Sequence, residues 1–191
     1  MRLLVLGGGP AGMTAALHAR ELGADVTLIE ARRVGGTSLN DGPAAVRTLA
    51  RTARLMRDAK SWEHLGLRGP GPHIDIAAAL TSARRVAEYV HDQRRLADAL
   101  CRRGIDLVDG AGPSVCIDSH TVAVPDGREF RGDAVVVAVG GRAGRPPIPG
   151  VELALTYEDL RNLTALPASA AVVGGADTGC QLASIFADFG V

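Results

Sequence analysis

Residues 2–12 read RLLVLGGGPAG and residues 25–30 read DVTLIE. Leu3, Leu4, Val5 and Leu6 are an unbroken apolar run, the pattern of a strand buried on both faces of a parallel sheet. Gly7, Gly9 and Gly12 follow it as G-x-G-x-x-G. Gly7 permits the tight turn out of the strand. Gly9 lets backbone approach a pyrophosphate, and Gly12 lets the next helix pack close to the sheet. That helix is expected over 10–22, with Pro10 suited to its first turn and Gly23 to its stop. Its N-terminal turn, Pro10 and Ala11 included, offers unpaired N–H groups and a positive dipole end to a diphosphate. Ala11, Ala15, Ala16 and Ala19 are expected to keep its sheet-facing side thin. The second strand, over 25–29, ends at Glu30. A carboxylate there accepts hydrogen bonds from ribose hydroxyls and disfavours a ribose 2′-phosphate. The first site is therefore expected to take FAD or NAD rather than NADP.

The residues after this unit carry a more specific signal. Residues 35–47 read GGTSLNDGPAAVR. They resemble the active-site loop of the flavoprotein disulfide reductases (dihydrolipoamide dehydrogenase, glutathione reductase, mercuric reductase), whose usual form is G-G-T-C-x-N-x-G-C-x-P-S-K. Gly35, Gly36, Thr37, Asn40 and Gly42 keep the frame. Ser38 and Pro43 stand at the two cysteine positions, and Arg47 stands at the lysine. The resemblance implies FAD in the first site, contacted by Gly7, Gly9, Pro10, Ala11, Gly12, Glu30, Ala31, Gly36, Thr37, Ser38 and Arg47. Residues 134–150, AVVVAVGGRAGRPPIPG, resemble the segment by which that family leaves its FAD domain; they add Ala138 and Gly140, with Val139 in place of a threonine. Gly110, Ala111 and Gly112 fall where the family passes backbone along the adenine.

A second fingerprint follows a strand expected over 170–173. It reads Gly174-Gly175-Ala176-Asp177-Thr178-Gly179 and resembles the family's NAD(P)H-binding turn, with Gly174 and Gly179 as its cofactor residues. Ala176 replaces the middle glycine, and its methyl group is expected to crowd a pyrophosphate.

The implied fold is α/β. A Rossmann-like FAD-binding domain with a small antiparallel insertion spans 1–150, and 151–191 begins a second Rossmann-like NAD(P)H-binding domain. The β-α-β unit begun at 170 needs another strand beyond Val191, so a longer protein is expected. In the family, NAD(P)H reduces FAD and the flavin reduces the adjacent disulfide. Ser38 has no accessible redox couple and Pro43 lacks even a backbone donor. The expectation is an FAD-dependent NAD(P)H oxidoreductase without the disulfide, passing electrons to a small-molecule acceptor such as a quinone or second nicotinamide. No residue is assigned a catalytic role. Arg47, always protonated, would favour anionic reduced flavin. A non-catalytic nucleotide-binding or interaction module of the same fold is the alternative, and NAD in a simple dehydrogenase is a third reading. A homodimer is one candidate assembly.

Composition narrows the classes further. Lys plus Arg and Asp plus Glu both number 21, giving zero net charge, so nothing electrostatic favours nucleic acid or an anionic membrane. Aromatic residues are only 3%, which argues against base-stacking surfaces. Lys60 is the sole lysine beside many arginines, alanines and glycines, a bias suggesting a GC-rich bacterial genome. No run approaches the ~20 apolar residues of a membrane span. The first residues enter a strand without a leader pattern, so a cytoplasmic location is expected. Cys101, Cys116 and Cys180 show no C-x-x-C spacing and are expected to be buried, reduced thiols. His18, His64, His73, His91 and His120 are scattered, as surface histidines are, and no metal site is expected.

Further along, helices are expected over 44–59 and 75–103, the latter carrying Ile76, Leu80, Ala83, Ala87 and Val90 on one face. A loop is expected over 61–74. A third parallel strand is expected over 105–108, paired strands at 116–117 and 121–124, and a central buried strand over 134–138. A short helix over 158–163 is expected to be capped by Thr156.

Overall fold

The computed structural model describes residues 1–191, except for the side chains of residues 87, 90–94 and 161. The expectations for Ala87, Val90 and His91 therefore lie outside the described residues. The chain forms two compact units, residues 1–41 with 91–142 and residues 42–90 with 143–191.

In the first unit, β1 (Arg2–Leu6), β2 (Asp25–Ile29), β3 (Asp106–Val108) and β7 (Ala134–Val137) form a parallel sheet in the order β3-β2-β1-β7. The register pairs Leu6 with both Ile29 and Val137, and Ile29 with Val108. All four strands thus stop at one level. The next residues, Gly7, Glu30, Asp109 and Ala138, line the carboxyl edge of the sheet, where open α/β sheets bind their ligands.

The run Leu3 to Leu6 is apolar throughout because both faces are covered. Leu3, Val5, Val26 and Leu28 share a core with Ala16 of helix α1 (Pro10–Glu21), with Ile105, and with Leu100 of helix α5 (Leu96–Arg102). Leu4, Leu6 and Ile29 pack on the other face with Val108, Val122 and Val124. Val122 comes from an antiparallel sheet of β4 (Val115–Cys116), β5 (Thr121–Ala123) and β6 (Glu129–Arg131), ordered β4-β5-β6. Val5 and Leu28 are fully buried, so truncating either to alanine would cost about 2–4 kcal/mol.

The second unit packs α3 (Pro43–Ala59) on α6 (Asp177–Asp188), around Ala45, Val46, Leu49, Ala53, Leu80, Leu160 and Ile185. Arg57 Nη1 lies 3.3 Å from Asp188 Oδ2 and donates to Ser184 Oγ at 3.1 Å. No helix among the described residues is long and apolar enough to cross a membrane.

Several expectations change. The helix expected over 75–103 is two helices, α4 (Ile76–Arg94) and α5. Arg95 between them sits at φ +38°, ψ 48°, a left-handed conformation that interrupts the hydrogen-bond ladder. Residues 170–173 form no strand: Val172 and Val173 are exposed, and no neighbouring strand in this unit offers them a ladder. A 3₁₀ turn, Trp62–Leu65, lies within the expected loop, and Leu160–Asn162 is 3₁₀ rather than α-helix. Its N-cap is Asp159 rather than Thr156, and Thr156 instead donates its N–H and Oγ–H to Asp159 Oδ2, at 2.7 and 3.0 Å. All three cysteines are free and exposed rather than buried. Cys116 stands on a two-residue edge strand, and the Cys180 thiol donates to Gly175 O at 3.2 Å. Ala11 is exposed too, leaving Gly12 and Ala16 as the buried residues of α1.

Candidate dinucleotide site at the carboxyl edge of the parallel sheet

The first glycine turn is fixed by contacts only glycine can make. Gly7 has φ +101°, and a Cβ there would stand 2.3 Å from the Ala138 carbonyl oxygen. Its N–H donates to Ile29 O at 2.8 Å, and Ala138 N–H donates to Leu6 O at 2.8 Å. A Cβ on Gly12 would meet Gly7 O at 1.8 Å, so close packing of α1 on the turn depends on its absence. Gly9 is the N-cap of α1 at φ −76°, ψ −179°, a conformation open to any residue. A Cβ there would make only ordinary contact, 3.7 Å from Gly36 Cα. Pro10 and Ala11 are exposed in the first turn of α1, beside free N–H groups suited to an anion.

Glu30 is buried at 8% exposure. Its Oε2 accepts the Gly8 N–H at 2.6 Å and its Oε1 the Arg32 N–H at 2.8 Å. An ionised carboxylate has about four lone-pair sites, so two donors leave capacity for a ribose hydroxyl. Alongside, Ala111 N–H donates to Glu30 O and Gly112 N–H to Ala31 O, both at 2.9 Å. These bonds extend the ladder past the strand ends and hold Ala31 and Gly112 beside Glu30. Asp109 stands at the same edge. Burial pushes its carboxyl above the ordinary 3.8; the Val34 N–H donated at 3.2 Å opposes this, and the Glu30 charge adds to it.

The loop with the altered cysteine positions joins this turn. Gly35 N–H donates to Gly8 O at 2.8 Å, and a Cβ on Gly36 would meet Gly9 Cα at 2.7 Å. Gly36 opens the five-residue helix α2 (Gly36–Asn40). Thr37 Oγ1 donates to Gly141 O at 3.4 Å, next to Gly140, while Ser38 is exposed. Within the first unit, then, the residues from Gly7 to Gly12, Glu30, Ala31, Gly36, Thr37, Gly112, Ala138 and Gly140 meet at one sheet edge. Arg47 is an exposed residue of α3 in the second unit, as Gly174 and Gly179 belong to that unit. The sequence reading passed over Gly8, Asp109 and the pairing of Arg32 with Asp41. Gly8 is hidden in a GGG run, and the other two depend on distant partners.

In the second unit Gly174 has φ +111°, and a Cβ on Gly179 would meet Gly174 O at 2.0 Å. Ala176 is the N-cap of α6 at φ −79°, ψ 179°. Among the described residues no group of three or more His, Cys, Asp or Glu side chains is placed to hold a metal.

A parallel sheet with a glycine turn, an acid on the second strand and a covering antiparallel sheet defines the FAD-binding Rossmann-like domain of flavoprotein disulfide reductases. The pyridine nucleotide-disulphide oxidoreductase family model matches residues 1–191, and the chain belongs to that family. The family binds FAD and uses NAD(P)H. Dihydrolipoyl dehydrogenase of Acholeplasma laidlawii is 30% identical over 194 residues, covering 98% of this chain and 56% of that protein. Mercuric reductase of Lysinibacillus sphaericus is 30% identical over 190 residues, covering 98% of this chain and 34% of that protein. The HOCl-induced flavoprotein disulfide reductase RclA from Escherichia coli superposes with a TM-score of 0.77 at 27% identity, over 100% of this chain and 40% of that one. The chain thus spans between a third and three fifths of the length of these relatives.

Proposed function

We propose that this chain is the cofactor-binding portion of an FAD-dependent NAD(P)H oxidoreductase that works without a redox disulfide. Residues 1–150 would bind FAD and 151–191 would begin the NAD(P)H domain. The observation that carries the reading is the first sheet edge. The Gly7–Gly12 turn, buried Glu30 and the Gly36 loop form one cradle, while the loop's cysteine positions hold Ser38 and Pro43. FAD would supply a two-electron centre that accepts a hydride and passes electrons on. The chain's own residues would bind and orient it. The α1 N-terminus and Gly9 face the diphosphate, Glu30 and Ala31 the ribose, Gly112 the adenine, and Thr37, Ser38, Ala138 and Gly140 the flavin side. Gly174 and Gly179 would shape the nicotinamide nucleotide turn. With no thiol pair in the loop, electrons would leave directly to a small-molecule acceptor such as a quinone or second nicotinamide. We assign the protein to the cytoplasm, with a homodimer as the assembly to test.

The test is the visible spectrum of the purified protein, identification of the released cofactor, and acceptor reduction by the full-length protein with NADH or NADPH. Released FAD and acceptor turnover support the reading; a flavin-free full-length protein overturns it. Ala176 in the second turn and Val139 in place of a threonine favour the alternative of a non-catalytic nucleotide-binding module. Flavin reduction by NAD(P)H in the full-length protein would exclude that alternative.

A further inference from the structure

We propose that Arg32 and Asp41 form a positioning clamp that holds residues 36–41 against the first glycine turn. The role assigned to the held loop rests on the FAD reading, because that loop is one side of the cradle. Helix α2 has only five residues, and none of them is buried. A helix so short does not sustain itself. Gly35 at φ +118° and Gly42 at φ +130° flank it, positive-φ conformations that end the helix on both sides. Its position must come from tertiary ties.

Asp41 is the C-cap of this helix, and its side chain is 6% exposed. A carboxylate at the negative end of a helix is disfavoured, and a buried one is costly without a partner. Arg32 supplies the partner. Its Nη1 donates to Asp41 Oδ1 at 3.0 Å and its Nη2 to Asp41 Oδ2, a two-pronged pairing that fixes orientation as well as distance. Arg32 is itself anchored, since its N–H donates to Glu30 Oε1. Asn40 adds a second tie, its Nδ2 donating to Arg33 O at 2.8 Å. The clamp thus connects the loop that lacks cysteines to the acid on β2.

The test is amide hydrogen exchange of the 191-residue chain as wild type, Asp41→Asn, Arg32→Gln and the double variant. The amides of residues 37–41 are expected to exchange at least tenfold faster in each single variant, and no faster in the double. Unchanged rates, or single effects that multiply in the double, would overturn the clamp. Amides of β1 and β2 report the fold. If a single variant also loosens them, the reversed pair Arg32→Asp with Asp41→Arg decides. Recovered protection supports the clamp, and none overturns it. FAD titration separates the underlying reading. A full-length wild type that takes up no FAD sinks that reading while the exchange data still decide the clamp. Equal FAD affinity in wild type and Asp41→Asn, despite a looser loop, overturns the positioning role.

Discussion

At the first glycine turn Gly7 has φ +101° and α1 starts from Gly9 at φ −76°, ψ −179°. At the second, Gly174 has φ +111° and α6 starts from Ala176 at φ −79°, ψ 179°. In both, the last glycine lets the helix lie on the first glycine's carbonyl oxygen. The surroundings differ. The first turn leaves a four-stranded sheet, touches Ala138, and is tied to Glu30 through Gly8. The second follows residues in no strand, and nothing lies within 4 Å of a Cβ on Gly174. Turn geometry therefore follows from local glycine spacing, whereas the buried acid tied to the first turn and the sheet beneath it come from tertiary neighbours. The positions taken by Gly9 and Ala176 have ordinary φ, so backbone strain does not demand glycine at either.

The largest effect should separate the two turns directly. Gly7→Ala combines left-handed strain with a clash against Ala138 O and is expected to cost on the order of 3–5 kcal/mol. Gly174→Ala meets strain alone, at about 1–2 kcal/mol. Urea unfolding of both variants checks this, and equal losses would break the comparison.

Glu30→Ala comes next. It strands the Gly8 and Arg32 N–H groups and is expected to cost about 2–3 kcal/mol, together with a loss of FAD affinity. A urea midpoint shift worth less than about 0.5 kcal/mol would show that water replaces the carboxylate freely.

How much of this was legible depended on whether the deciding contact was local. The run Leu3 to Leu6, the spacing Gly7-Gly9-Gly12 and the acid at position 30 specify strand, turn, helix and edge within thirty residues, and the structure places them so. Residues 170–173 have similar apolar content, yet a strand needs a partner, and composition cannot supply one. The break at Arg95 carries no Gly or Pro to announce it. The third antiparallel strand, Glu129–Arg131, is a short polar-flanked run without strong alternation. The Arg32–Asp41 pair joins residues nine apart across two glycines, a relation that only the folded loop reveals.

Ala176→Gly sharpens the comparison from the ligand side. Glycine is the better N-cap but costs chain entropy, so stability should change by no more than about 0.5 kcal/mol. If the methyl group crowds a pyrophosphate, NAD(P)H should bind the full-length variant about tenfold more tightly, a change of about 1.4 kcal/mol. Calorimetric titration with NADH and NADPH measures this. Unchanged affinity would show that the Ala176 methyl group is no obstacle to the nucleotide.

The smallest effect concerns how dry the first edge is. Burial raises the Asp109 carboxyl above 3.8 in the folded state. Below pH 3.8 both folded and unfolded states hold the proton, and the group contributes nothing to stability. As pH rises from there through the raised folded value, the unfolded chain loses its proton first, so the folded state loses stability; above that value the loss is complete. Asp109→Asn keeps an oxygen for the Val34 N–H and removes the titration. Its Tm relative to wild type should therefore increase between acid and neutral pH, then level off. A difference that stays flat across that range would mean Asp109 titrates like a solvated carboxyl, and the edge beside Glu30 would then be open to water.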